Sequence, residues 1–278
     1  MLLDRLESGF LNIAHRGARS IAPENTLAAA RKGFEAGADM WELDVCMTAD
    51  GELIVVHDAS LDRTSNVKEV FPNRSPWLVD GFTLEEIRRL DFGSWFNRDD
   101  PFGQIGLGFV SAEDRRAYEG EAAPTLREAL SITLEWDRMV NVEIKDLGRS
   151  RGHDEVAERV VSTIREMGMA DRVLVSSFNH SYLRRVLAAD GSIATGALVE
   201  SHVPDALILL RSLGAVTYHP RAGTISDGEI ERHHRLGVKT LVWTVNDERQ
   251  MESLIRCGAS GIFTDFPRKL AKMLTASG

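Results

Sequence analysis

Residues 140–177 read VNVEIKDLGRSRGHDEVAERVVSTIREMGMADRVLVSS and hold the unit from which the rest of the fold can be built. The runs 140–144 and 173–177 are short, apolar and rich in β-branched residues, the composition of buried strands. Between them lies an amphipathic stretch, 155–167, closed by Gly168, a residue type that commonly ends a helix. The alternation continues toward the C-terminus. Residues 193–199, 215–218, 240–245 and 261–264 read as strands, and 182–189, 205–213, 227–236 and 248–257 as helices, most of them followed by a glycine such as Gly214, Gly237 or Gly258. On the N-terminal side, 11–14, the helical 26–36 and the strand 40–47 begin the same rhythm. The count is about eight strand–helix units, the number that closes a parallel α/β barrel of the TIM type. An open doubly wound sheet is the structural competitor, but no GxGxxG turn follows the first strand to support it.

The 278 residues are 43% hydrophobic and 27% charged, enough apolar material for one sizeable core, so residues 1–278 are expected to form a single barrel domain. A net charge of -9 argues against non-specific binding to nucleic acid or an anionic membrane. It leaves an anionic substrate open, because a bound cation reverses the local sign. The two cysteines, Cys46 and Cys257, cannot build a disulfide framework and read as reduced structural thiols. Acidic residues interrupt the start of the chain, and no apolar run approaches the ~18 residues of a membrane span. A soluble cytoplasmic protein without stable membrane insertion is the expectation, and the oligomeric state is left open.

Residues 59–123 break the rhythm. They hold Pro72, Pro76, Pro101, several glycines and the aromatics Phe71, Trp77, Trp95 and Phe96, with one clear helix, 83–90, opened by Thr83 as N-cap with Glu86 three residues on. That is too long for an ordinary barrel loop, so it reads as an insertion over the top of the barrel, near the catalytic face.

Strand ends in a barrel point toward that face. The first strand ends in His15-Arg16-Gly17, a proton-transfer group beside a residue that grips phosphate through paired hydrogen bonds. In the second, Glu42 and Asp44 share one face, with Trp41, Leu43 and Val45 on the other, against the helices. Two adjacent carboxylates need a cation or a proton, and oxygen-only ligands select a hard ion, Mg²⁺ or Ca²⁺. Asp50-Gly51 signals a hairpin; with these two at the turn, Ala49 pairs with Glu52 and Asp44 lies opposite His57, returning that histidine to the carboxylates. Glu143 supplies a third carboxylate, and Lys145, two residues on, either a positive charge for a phosphate or a salt bridge filling the barrel mouth. Trp243 either walls a ligand pocket or belongs to the core. His219, His233 and His234 read as structural or solvated.

Together these pieces resemble the glycerophosphodiester phosphodiesterases. The matching segments are His15-Arg16-Gly17, Pro23-Glu24-Asn25-Thr26, Glu42-Leu43-Asp44-Val45, Asp50-Gly51, His57-Asp58, Leu61-Asp62-Arg63-Thr64, Pro124-Thr125-Leu126, Glu143-Ile144-Lys145, Trp243-Thr244-Val245-Asn246 and Thr264-Asp265-Phe266-Pro267, in the family's order across almost the whole chain. The resemblance implies a TIM barrel that hydrolyses small glycerophosphodiesters to glycerol 3-phosphate and an alcohol. It implies one Mg²⁺ or Ca²⁺ on Glu42, Asp44 and Glu143, His15 and His57 as the acid–base pair, and Arg16 and Lys145 on the phosphate. It also implies attack by the substrate's own 2-hydroxyl, through a cyclic phosphate. Residues 103–121 look longer and more charged than the family's usual insertion, which bears on the leaving group rather than the reaction. The rivals are a lysophospholipase D or other phospholipid phosphodiesterase on the same barrel, with Phe71, Trp77, Trp95 and Phe96 as the only candidates for a membrane-facing lid, and a non-catalytic phosphoester-binding protein.

Overall fold

The structure, a computed structural model, describes residues 1–148 and 150–276. Nine strands occur among the described residues, in chain order: β1 Leu11–Ala14, β2 Met40–Met47, β3 Leu53–Val55, β4 Met139–Ile144, β5 Val173–Ser177, β6 Ala194–Val199, β7 Thr217–Pro220, β8 Lys239–Val242 and β9 Gly261–Thr264. All but β3 run parallel in the order β1-β9-β8-β7-β6-β5-β4-β2, and pairing of β1 with β2 closes the ring. The eight-stranded barrel expected from the sequence is thus formed, with helices between its strands.

Alternation along the strands sorts side chains into two layers. Trp41, Leu43 and Val45 of β2 face outward into a cluster with Ala30 and Phe34 of helix Leu27–Glu35 and with Leu126, Ala129 and Leu130 of helix Leu126–Glu135. The barrel interior holds Leu11, Ile13, Met40, Met139, Leu174, Leu241 and Phe263; Leu2 and Leu6, from helix Leu2–Ser8, join them where the strands begin. Apolar side chains therefore fill the N-terminal end and leave the polar residues to the other. Cys46 and Cys257 are free and buried, and burial pushes the Cys46 thiol up to about 12, which makes it unreactive.

The hairpin differs from its sequence reading by one residue. Val45, Cys46 and Met47 pair with Val55, Ile54 and Leu53, so the turn holds three residues, not two. Gly51 takes the left-handed conformation (φ +84) and donates to Thr48 O at 3.1 Å, while Thr48 N donates to Glu52 O at 3.0 Å. The turn is fixed by Thr48, whose hydroxyl donates to Asp50 and accepts from Glu52 N. Asp44 consequently lies opposite Val56, whose N–H it receives, and His57 follows beyond the strand.

The insertion is also more helical than it reads. Besides Leu84–Ile87, whose Thr83–Glu86 capping box is present, it forms Val67–Val70, Ser94–Asp99 and Ala112–Tyr118. Its aromatics are packed away, partly against Ala22 and Ala29 outside the insertion. Trp95 and Phe96 are buried with Val110 and Tyr118, and Phe71 and Trp77 pack against Val67, Phe82 and Ile87. The exposed apolar side chains of this segment are Leu78, Leu107 and Phe109.

Candidate active site

In parallel strands, paired residues share a face, so register alone brings the acids together. Asp44 of β2 pairs with Glu143 of β4, and Glu42 lies two residues before Asp44 on the same face. Glu42, Asp44 and Glu143 are buried, and each offers an oxygen within 4.8 Å of the others. Burial raises the Glu42 carboxyl well above its ordinary range, and repulsion from Asp44 and Glu143 raises it further. Burial and Asp44 act likewise on Glu143. Burial would also raise Asp44, but Lys145 and Arg16 outweigh it and hold that carboxyl low. Three converging acids, two of them resisting ionisation, form the oxygen-only donor set suited to a hard divalent cation.

The remaining groups surround this trio. Lys145 Nζ lies 2.6 Å from Glu143 Oε1 and 3.3 Å from Asp44 Oδ1, so the salt bridge allowed for in the sequence is formed. Arg16, in a left-handed conformation (φ 55), donates its backbone N–H to Glu42 Oε2 at 2.8 Å and brings its Nε to 3.4 Å from Asp44 Oδ2. That Nε is buried without a hydrogen-bond acceptor, as is Nε of Arg19, leaving two guanidinium donors with unused capacity. Asn25 grips Asp44 twice, donating from Nδ2 to Oδ2 at 2.8 Å and accepting from Asp44 N at 3.2 Å.

Each of the two histidines is backed by a carboxylate. His15 Nδ1 is 2.7 Å from Asp265 Oδ1 at the end of β9, and Asp265 is fixed by Asn246, which donates from Nδ2 and accepts from Asp265 N. His57 Nδ1 is 2.6 Å from Asp58 Oδ1, and Asp58 accepts from Arg63 Nε. A carboxylate on Nδ1 selects the tautomer that leaves Nε2 free to accept a proton. Burial lowers the His15 pKa, opposed by its bond to Asp265. His57 is near enough for its charge to act on both Asp44 and Glu143, and it lines one cleft with Cys46, Met47 and Lys145. The structure therefore brings His15, Arg16, Glu42, Asp44, His57, Glu143 and Lys145 to one end of the barrel.

Trp243, just beyond β8, is half-buried against the interior cluster, edge-on to Phe178, with Nε1 donating to His219 O at 2.9 Å. His219 is wholly buried against Thr217, and burial pulls its pKa down to about 3, which keeps it neutral and structural. His233 bonds Thr240, again away from the acids.

Residue-type reasoning missed Glu24, Asn25, Asp58, Arg63, Asp265 and Asn246, which lie within quoted motifs but drew no role, and it missed Arg19 altogether. The Glu24 side chain is 2% exposed and lies within 2.8 Å of both Arg16 and Arg19 and 2.7 Å of Arg63. A groove of about 450 Å³, lined by none of the three acids, runs between the insertion (Gln104, Leu107, Phe109) and the C-terminal helix (Lys269, Lys272), with Phe266, the chain neighbour of Asp265, in its wall.

Residues 15–269 match the model of the glycerophosphoryl diester phosphodiesterase family. A glycerophosphodiester phosphodiesterase of Caldanaerobacter subterraneus subsp. tengcongensis is 34% identical over 271 residues, covering 96% of this chain and 99% of its own. One from Bacillus subtilis is 30% identical, covering 92% and 84%. Among solved structures, an Oleispira antarctica phosphodiesterase in complex with the product sn-glycerol-3-phosphate superposes with a TM-score of 0.76 at 26% identity, covering 95% of this chain and 96% of that one.

Proposed function

Because this chain belongs to the glycerophosphoryl diester phosphodiesterase family, we propose that its hydrolysis of glycerophosphodiesters runs through His15 and His57 as acid and base, with a divalent cation held by Glu42, Asp44 and Glu143 and the phosphate by Arg16 and Lys145. The observation that carries the reading is the meeting of three buried carboxylates with two histidines, each tied through Nδ1 to its own carboxylate. We read residues 1–278 as one barrel domain into which 59–123 is inserted.

The acidic trio fits one Mg²⁺ or Ca²⁺, which when bound would withdraw negative charge from the phosphoryl oxygens as a Lewis acid. Arg16 and Lys145 add fixed positive charge for the same oxygens, and the unused Nε–H of Arg16 is available to one of them. One histidine takes the proton of the substrate's glycerol 2-hydroxyl as that oxygen attacks phosphorus. The other gives a proton to the departing alkoxide, so the head-group alcohol leaves and a cyclic phosphate remains. Water then opens the ring with the proton roles reversed, releasing glycerol 3-phosphate. Intramolecular attack is favoured because effective molarities of about 10⁵ M or more are available to a well-placed hydroxyl. Trp243 offers a flat apolar wall for the glycerol.

The test is steady-state turnover of glycerophosphocholine by His15→Ala and His57→Ala. Each should lower kcat by about 10² or more with a comparatively unchanged KM. Near-normal kcat in either variant removes that residue from the mechanism.

One observation favours a second reading, action on lysophospholipids. The groove that begins at Ser20 and Phe266, the chain neighbours of Arg19 and Asp265, exposes Leu107 (68%) and Phe109 (59%) and is also lined by the cations Lys269 and Lys272, which suits a single acyl chain better than any lid built from Trp95 and Phe96, since those are buried. The ratio of turnover on lysophosphatidylcholine to that on glycerophosphocholine decides it, and a ratio far below one leaves the small diester as substrate.

A further inference from the structure

We infer that Glu24 is a positioning residue that ties both histidines and Arg16 into one charge network, so that a single buried carboxylate sets the geometry of the acid, the base and the phosphate grip together. The inference rests on the roles proposed above for His15, His57 and Arg16. Glu24 Oε1 accepts from Arg16 Nη1 at 2.8 Å and from Arg63 Nη2 at 2.7 Å, and Arg19 Nη2 lies 2.8 Å from Oε2. Two of these guanidiniums lead onward. Arg63 turns its Nε to Asp58, whose other oxygen holds His57 Nδ1 at 2.6 Å. Arg19 brings its Nε to 3.8 Å from Asp265 Oδ1, the oxygen that holds His15 Nδ1 at 2.7 Å.

Each arm runs in the same order, histidine, aspartate, arginine, then the shared glutamate, but the Arg63–Asp58 link is a hydrogen bond while the Arg19–Asp265 link is a 3.8 Å ion pair without one. A guanidinium suits the third place because its nitrogens are fixed in one plane, so it can present one to each of two carboxylates at a set separation, which a lysine ammonium on a flexible stem cannot. Charges balance within the network. Arg16, Arg19 and Arg63 face Glu24, Asp58 and Asp265, and loss of Glu24 leaves an excess positive charge next to both histidines. Burial works to raise the Glu24 carboxyl, yet Arg16, Arg63 and Arg19 hold it at about 2, so it is ionised wherever the enzyme works. Glu24 touches neither histidine and none of the three metal-binding acids, which is why residue-by-residue reading of strand ends passes over it.

The test is the pH profile of kcat/KM on glycerophosphocholine, with saturating divalent cation, for the full chain and for Glu24→Gln, Glu24→Asp and Asp58→Asn, with His15→Ala and His57→Ala run alongside. Glu24→Gln should lower kcat by roughly 30-fold, raise KM several-fold through Arg16, and move both limbs of the profile to lower pH, because removing an anion disfavours each imidazolium. Glu24→Asp restores the charge, so the limbs should return to their original positions with at least about a tenfold recovery of kcat/KM. Asp58→Asn should move one limb only. A folded Glu24→Gln with unmoved limbs overturns the proposal, whether kcat is normal or reduced. Should that variant fail to fold, Arg63→Lys at the half-exposed end of the His57 arm decides: a shift of one limb supports the network, and wild-type kinetics refute it. Active His15→Ala or His57→Ala would instead sink the acid–base reading itself.

Discussion

Asp265→Asn isolates what a carboxylate does for His15. In the native site Asp265 Oδ1 holds His15 Nδ1 at 2.7 Å and Oδ2 accepts from Asn246 Nδ2 at 2.6 Å, so both oxygens are committed. An asparagine has one oxygen for these two donors. If the oxygen stays with Asn246, the amide NH₂ faces Nδ1, and the imidazole must take the tautomer with its proton on Nε2. A histidine in that form cannot accept a proton at Nε2. The same substitution logic in a serine protease triad costs about 10⁴ in kcat, and here a loss of roughly 10³, or about 4 kcal/mol of transition-state stabilisation, is expected with KM nearly unchanged. The variant should remain folded, because it keeps the shape of the side chain and the bond from Asp265 N to Asn246. The pH profile carries further information. Burial already lowers the His15 pKa and Asp265 opposes that effect, so its removal lowers the pKa further. If residual activity needs His15 unprotonated, the acidic limb moves to lower pH; if it needs His15 protonated, the basic limb does. Rates and profiles on glycerophosphocholine between about pH 5 and 9 distinguish the two. A folded Asp265→Asn with near-normal kcat and an unmoved profile would falsify the tautomer argument.

Exhaustive chelation should abolish turnover and lower the melting temperature, with both restored by Mg²⁺ or Ca²⁺, because burial and mutual repulsion keep Glu42 and Glu143 from ionising easily even with Lys145 and Arg16 at Asp44; full activity after chelation would refute this. A glycerophosphodiester lacking the 2-hydroxyl should bind almost normally yet be cleaved at least about a hundredfold more slowly at saturation, and equal rates would exclude the cyclic route. Acid stability should depend on Glu24, whose carboxyl is held at about 2 when folded against 4.5 ordinarily. Its contribution, of order 3 kcal/mol, is fully present above about pH 4.5 and lost as pH falls through about 2, so Glu24→Gln should show a flatter urea-stability curve across that window than the native chain.

The barrel was legible because it rests on alternation and repetition. In β2 the outward Trp41, Leu43 and Val45 and the inward Glu42 and Asp44 are separable from sequence, and β4 repeats the device with Val142, Ile144 and Glu143. The hairpin register was not legible. It is decided by the Thr48 side chain and the left-handed Gly51, and a three-residue turn looks like a two-residue one until those bonds are known. The insertion's helices of four to seven residues are too short to show a period. The aspartates behind the histidines escaped for opposite reasons. Asp265 is 250 residues from His15, so only barrel closure through β1 and β9 brings them together. Asp58 is adjacent to His57, and adjacency alone gives no reason to expect a bond.

The first part of the insertion keeps a separate interior, whereas Trp95, Phe96, Val110 and Tyr118 pack on Ala22 and Ala29. Leu61, Val67, Val79, Phe82, Ile87, Leu90 and Phe92 form a cluster that draws on the strands chiefly through Cys46 and Ile54, while the barrel's inner and outer layers are built from other residues. Substitutions in the two interiors should therefore combine additively, since they share few neighbours. Changes inside this cluster should accordingly leave the three acids undisturbed, because their register is set by β2 and β4. That independence ends at Arg63 and Asp58, through which the segment fixes the ring of His57.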